Sequence, residues 1–332
     1  MTRHHLVPQM YLRLFADERS RITLVDRDDL DRAFRTSVKK ACAEVGFYDW
    51  RPDLHPDSPP VDEEILHPEF VERSLSAFES RAVSPIRRIL SSGQPPHTKE
   101  DRYHLTNFIA FQMTRTRRFR EDLSATGTKA MREHLKSTLD AASVAEWLRA
   151  RGEPYSPEDV REFIASATGE DGPRLVPDPA YAIQQAVGQA LTTVAEALWT
   201  RQWAVAAFDE PRLLTSDEPV VLWHPGDEPV GPVNAPIVWL ALGRRHLLEM
   251  RADDAPLLAQ EDRAAIFNAA VATGADRWII HHPHDTRLLA ETVVGPRSAW
   301  GDEVVRTTLT EDEVRVLKRH RRLPVNPDTP TT

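Results

Sequence analysis

The side chains best suited to chemistry stand at the start of the chain. His4 and His5 run through Leu6, Val7 and Pro8 into a short amphipathic helix that carries Gln9, Tyr11 and Arg13. Imidazole titrates near neutral pH and serves both acid–base steps and metal ligation, while guanidinium holds anions. Adjacent side chains on extended backbone point to opposite sides, so one histidine of the pair, read as His5, faces a common site. Gln9 and Arg13 lie one helical turn apart, and Pro8 suits a first turn because it has no amide proton to leave unpaired. Without any chemistry, one histidine would be exposed and the other bonded inside the fold, with Tyr11, Leu12, Leu14 and Phe15 as core.

Three further groups carry polar chemistry. Leu213-Leu214-Thr215-Ser216-Asp217-Glu218-Pro219 reads as a strand ending in small hydroxyls and a carboxylate. Asp217 there could act as a base, orient a histidine or bind a divalent metal, and it could equally cap backbone amides in a turn. Gln112, Arg115 and Thr116 border the apolar stripe of Phe108, Phe111 and Phe119. Arg115 so placed needs an anion, Asp217, or a salt bridge to Glu79 on the preceding helix. His281-His282-Pro283-His284-Asp285 follows an apolar strand and reads as a surface turn rather than a metal site. The phosphate-cradling, dinucleotide, nucleophile-elbow, zinc-protease and paired-cysteine motifs are absent from the sequence.

These groups are far apart in the chain, so the fold has to gather them. Of the 332 residues 41% are hydrophobic and 28% charged, which allows a substantial core and leaves no apolar run near the roughly 18 residues of a bilayer crossing. The start lacks the basic-then-apolar pattern of a secretory leader, and Cys42 is the single cysteine, so the expectation is a cytoplasmic protein without disulfides. A net charge of −9 argues against a surface devoted to nucleic acid, although Arg115 to Arg120, Arg244-Arg245 and Lys318 to Arg322 form local basic clusters.

Alternation predicts a half-buried strand over 21–26 and an extended segment within 36–48. Four prolines mark 51–62 as an exposed connection. Helical spacing takes over from Pro68 to Gly93, with Pro85 expected to kink the helix. A second helix is expected over 98–123, N-capped by Thr98, and others over 127–150, 156–167 and 178–200. Strand patterns return at 202–208, 213–223, 237–242, 246–250 and 278–280, interrupted by a helix near 260–273. The expectation is an α+β fold: a mixed or antiparallel sheet formed by N- and C-terminal segments, with a central helical bundle. Residues 1–290 read as one domain, with sheet segments 1–50 and 200–290 and a helical insertion over 65–200. Residues 291–332 read as an extension with a short helix and a disordered Pro/Thr tail.

Taken together, HHxVPxxYLxxF at the start, an Asp-Arg pair after the first strand, Gly46-Phe47-Tyr48, Phe111-Gln112-x-x-Arg115-Thr116 and Thr215-Ser216-Asp217-x-Pro219 resemble the bacterial family called domain of unknown function 4238. The resemblance spans roughly residues 3–282. It implies that His5, Pro8, Tyr11, Gln112, Arg115, Ser216 and Asp217 belong to the family's recurrent pattern. Members often carry Asn where this chain has Glu218, and the His281–Asp285 cluster lies outside the pattern.

The reading that follows is an enzyme that hydrolyses a phosphodiester or another anionic substrate, a small molecule or a nucleic acid, at a His/Asp/Arg site. His5 and Asp217 are its catalytic candidates, and Gln9, Tyr11, Arg13, Gln112, Arg115 and Ser216 its substrate-binding candidates. A divalent metal is the candidate cofactor, with His4, His5 and Asp217 as candidate ligands. The alternatives are a non-catalytic binding module of a bacterial defence or toxin system, in which the same groups tie the N-terminal segment down, and a tailoring enzyme for a small metabolite. A deep, mostly apolar pocket would favour the last of these.

Overall fold

A computed structural model describes residues 3–48, 67, 69–152, 154–226, 228, 230–310 and 313–325. The chain is α+β. It begins with β1 (Arg3–His5), α1 (Gln9–Leu12) and a 3-10 turn over Arg13–Phe15, followed by β2 (Arg21–Asp26), β3 (Asp29–Ser37) and β4 (Ala43–Val45). The helical third comprises α2 (Phe70–Ser92), α3 (Lys99–Thr114), α4 (Arg117–Thr138), α5 (Ala141–Ala150), α6 (Pro157–Thr168) and α7 (Pro179–Gln189), the last continuing through a π-helical turn into α8 (Ala195–Trp199). Then come β5 (Gln202–Ala207), β6 (Thr215–Ser216), β7 (Val220–Trp223), β8 (Ile237–Ala241), β9 (His246–Arg251), α9 (Gln260–Gly274), β10 (Trp278–His281), α10 (Thr286–Ala290), β11 (Ser298–Thr310) and β12 (Glu313–Pro324). Among the described residues no helix is long and apolar enough to cross a membrane.

The described strands form two four-stranded antiparallel sheets, with β1–β4 and β11–β12 as separate two-stranded ones. The first, ordered β3-β2-β10-β6, joins the two ends of the chain as expected, with Ile279 opposite both Val25 and Ser216. The second, β5-β9-β8-β7, is built from the C-terminal part alone. Two features separate this from the pattern in the sequence. The segment 213–223 divides between the sheets, β6 to the first and β7 to the second, and Asp217-Glu218-Pro219 makes the crossing. Proline cannot donate a ladder bond, so the strand ends there. In β2 the four residues Ile22 to Val25 are all buried rather than alternating, because the strand lies inside the sheet with both faces covered.

The helices α3 to α7 start where their caps lie. Thr98 accepts from the Asp101 amide at 3.0 Å, and Ser156 and Asp159 form a reciprocal capping box with Pro157 in the first turn. The helix expected over 98–123 breaks at Arg115, where the Thr116 hydroxyl accepts from the Phe119 amide at 3.2 Å and starts α4. The helix expected over 127–150 is accordingly the end of α4 followed by α5, divided at the Asp140 cap. α2 is continuous through a buried Pro85 and ends at Gly93, whose φ of 66° is the left-handed conformation of a helix C-terminus. α3 is the central helix, buried continuously from Leu105 to Gln112. Asn268 on α9 accepts from the Leu214 amide and donates to the Arg212 carbonyl, which fixes the chain entering β6.

The short helix expected within 291–332 is replaced by the β11–β12 hairpin, and the short helix precedes it as α10. The Pro-rich connection at 51–62, the helix start at Pro68 and the tail from 326 onward lie outside the described residues.

Candidate functional site

β1 pairs with β4 and places His4 opposite Glu44 and His5 opposite Ala43, so the two imidazoles face opposite ways. His4 is buried, and its Nδ1 accepts from the Tyr48 amide at 2.7 Å, with the rings 5.3 Å apart. His5 is half-buried and its Nε2 lies 3.1 Å from the Lys39 carbonyl, a contact that requires Nε2 to carry the proton. Burial is the main cause that lowers its pKa, and the nearby charges of Arg115 and Arg3 add to it against Glu79.

The N-terminal segment is sewn onto the central helix and the first sheet. Gln112 donates from Nε2 to the Leu6 carbonyl at 3.1 Å and accepts at Oε1 from Arg115 at 2.9 Å. Arg115, 3% exposed, pairs with Glu79 at 2.7 Å, and its carbonyl accepts from the Tyr48 hydroxyl at 3.0 Å. Its partner is therefore Glu79 and not Asp217. The Tyr11 hydroxyl lies 2.9 Å from Thr215 Oγ1, fully buried, and burial raises its pKa far above the ordinary tyrosine value. Gln9 and Arg13 approach each other at 3.5 Å on the outside of α1, away from this network.

Asp217 ends β6 as a receptor for amides. Its Oδ1 accepts from the Asp276 N–H at 2.9 Å, and its Oδ2 from the Arg277 and Trp278 N–H groups at 2.9 and 3.0 Å. Burial foremost, and then the charge of Asp276, push its pKa up to about 7 against the pull of those three amides. Ser216 Oγ accepts from the Glu218 amide and donates to the Glu218 carbonyl, a turn closed by its own side chain. At the far end of β10, Asp285 binds Arg244 through two 2.7 Å contacts and His282 Nδ1 accepts from the His284 amide, which makes His281–Asp285 a pinned turn. Among the described residues no three His, Cys, Asp or Glu side chains are grouped as metal ligands, and His4, His5 and Asp217 are held in separate contacts.

The residue that sequence reasoning left aside is Glu218. It stands in the wall of two cavities, one of about 410 Å³ between α3, α4, α9 and β7, the other of about 210 Å³ beside Asp217, Asp276 and Arg117. Burial and the adjacent Asp217 drive its pKa well above the ordinary glutamate value, opposed by Arg118 and Thr116. The Arg118 amide points at its Oε1 from 3.4 Å. Arg117, next along, bridges Glu44 at 2.5 Å and Asp276 at 3.1 Å. The signal available in the sequence was a second carboxylate directly after Asp217 and before a proline, at the point where one strand must become two.

The larger cavity is lined by the apolar side chains of Phe119, Val194, Val221 and Leu222 and by polar ones that include Arg118, Gln189 and Glu218. A buried carboxyl whose pKa is pushed up by its surroundings can donate a hydrogen bond or a proton to whatever occupies such a cavity. The profile of a family described as Protein of unknown function (DUF4238) matches residues 3–285, a stretch that contains both four-stranded sheets and both cavities. No curated protein and no solved structure matches the chain.

Proposed function

Because the chain belongs to the DUF4238 family, whose description specifies no reaction, the assignment has to come from the site, and we propose that the protein binds a small, partly apolar molecule in the cavity of about 410 Å³. Glu218 is the hydrogen-bonding and proton-exchanging group of that site. One observation carries this reading: an ionisable side chain, Glu218, borders both cavities while held by the Arg118 amide and the Thr116 side chain, whereas His5, Arg115 and Tyr11 border neither and Asp217 spends both its oxygens on amides. The volume falls in the range of about 300–1,000 Å³ typical of small-molecule sites. A lining that mixes apolar and polar side chains suits a metabolite, and a polynucleotide would ask instead for a groove rich in Lys and Arg. Hydrolysis of an anionic substrate at His5 and Asp217 has less support, since His5 is spent on the Lys39 carbonyl and both Asp217 oxygens on amides.

The test uses N-phenyl-1-naphthylamine, a neutral dye that fluoresces in apolar sites. The wild-type protein is expected to take it up saturably at one site per chain. Ala270→Trp, which fills the cavity from α9, and Gly231→Trp, which fills it from the opposite loop, should each abolish uptake with circular dichroism unchanged. Equal uptake by the folded variants, or none by the wild type, rejects the reading.

A further inference from the structure

We infer that the β11–β12 hairpin joins two copies of this chain, β11 of one pairing antiparallel with β11 of the other about a two-fold axis at Val304. The hairpin is long and narrow. Its strands pair from Ser298 opposite Pro324 to Thr308 opposite Val314, and among the described residues neither has a second strand beside it. A two-stranded ribbon is marginal in water, and an edge strand is a ready template for a third strand. The hairpin also lies beyond residues 3–285, the stretch that the family profile matches. Its base is fixed to the body through one face. Trp300 and Arg322 stand opposite each other and so share a face, and both bond Asp122 on α4, at 2.9 and 2.8 Å. α4 therefore backs the face of the ribbon, while Ser298 and Ala299 at the start of β11 are exposed.

The sequence of β11 selects a second copy as the occupant and sets its register. Two antiparallel strands related by a two-fold axis through the sheet have one residue directly opposite its own counterpart. With Val304 in that place all 13 residues of β11 find a partner, because Val304 is the middle of the strand. Asp302 then stands opposite the partner's Arg306, and Arg306 opposite the partner's Asp302. Opposite charges directly across a pair of strands are favourable, and like charges are not. Moving the axis to Glu303 or to Arg306 sets that charge against itself, and moving it to Val305 loses both ion pairs. The edge of β12 is closed to the same arrangement by its own charge. An axis at Leu317 sets Arg319 against the partner's Arg315, and axes at Lys318 or Arg319 set each against itself. Cationic residues of this kind are the usual guard of an edge strand, whereas the middle of β11 is Val304-Val305.

Sedimentation velocity of the full chain reads the assembly directly. The wild type, 37.6 kDa per chain, is expected to pass from monomer to dimer as its concentration rises, and to go no further. Asp302→Arg and Arg306→Asp should each weaken the dimer about tenfold or more, because each turns two attractive cross-strand pairs into two repulsive ones. The doubly substituted protein should return to within about threefold of wild type, since the pairs are restored with their signs exchanged. Val304→Cys, combined with Cys42→Ser to remove the single native thiol, should cross-link under mild oxidation, because directly opposite residues of antiparallel strands lie within disulfide reach. Circular dichroism checks that each variant is folded. A wild type that stays monomeric at about 100 µM overturns the assignment. So do a dimer indifferent to the single charge reversals, a double substitution that restores nothing, and a Val304→Cys protein that does not cross-link. A monomer that binds a labelled DNA duplex through β12 overturns it too, and gives the ribbon to nucleic acid instead.

Discussion

Replacing Asp217 by alanine separates a structural carboxylate from a catalytic one. The carboxylate receives three main-chain N–H groups at 2.9–3.0 Å from residues 276–278, and those amides tie β10 to the end of β6. A buried amide that loses its acceptor costs about 1–3 kcal/mol, so three cost about 3–9 kcal/mol. The adjoining cavity of about 210 Å³ can admit water to them, which places the expected loss in the lower half of that range, about 3–5 kcal/mol. For a chain of this size that is a fall in melting temperature of roughly 5–10 °C at pH 5. The loss also depends on pH. A carboxyl whose pKa rises from 3.8 to about 7 on folding binds extra protons in the folded state between those values. Its contribution to wild-type stability is complete below about pH 4 and disappears as pH climbs through 7, at about 1.4 kcal/mol per pH unit over that interval. The gap between wild type and Asp217→Ala should therefore narrow from pH 5 to pH 8. Thermal and urea melts followed by circular dichroism at both pH values measure it. An Asp217→Ala protein that melts within about 1 °C of wild type at pH 5, or a gap that widens with pH, refutes the reasoning.

Arg115→Ala strands Glu79 and releases Gln112, and because the guanidinium is 2% exposed the urea midpoint should fall by the equivalent of about 3–5 kcal/mol, the cost of breaking a buried pair. His5→Ala removes one partly exposed contact to the Lys39 carbonyl, so its melt should stay within about 1 kcal/mol of wild type. If that variant folds normally yet loses a hydrolysis of bis(p-nitrophenyl) phosphate that the wild type performs, the structural assignment of His5 is wrong. Burial and the neighbouring Glu79 raise the Glu72 pKa to about 6, so its protonated form stabilises the fold below about pH 4.5 and this is lost through pH 6. Glu72→Gln should then melt above wild type at pH 8 and no higher than wild type at pH 4.

Much of the fold was legible because local chemistry and tertiary structure agree. Thr98 with Asp101, and Ser156-Pro157 with Asp159, start helices where caps of that type must, and the apolar spacing of α3 marks the central helix. Where they disagree the sequence misleads. Apolar spacing runs on through Phe119, yet the Thr116 hydroxyl competes for the backbone and ends the helix. β3 is solvent-exposed over Asp29 to Arg35, so it shows no alternation and owes its existence to pairing with β2. The site divides in the same way. That the N-terminal segment would be fastened by Tyr11, Gln112 and Arg115 could be read from residue types that cannot be buried alone. Whether Arg115 meets Glu79 or Asp217 is a matter of helix packing, and α2 against α3 decides it. Glu218 is not legible as a site residue because Asp217-Glu218-Pro219 marks a strand end without showing that the chain changes sheets there and borders two cavities.

A crystal structure of the protein grown with saturating N-phenyl-1-naphthylamine tests the central claim most directly. The account predicts one dye molecule packed on Val221 and Leu222 within contact of Glu218. Dye bound only elsewhere, or a cavity that stays empty at saturation, contradicts it.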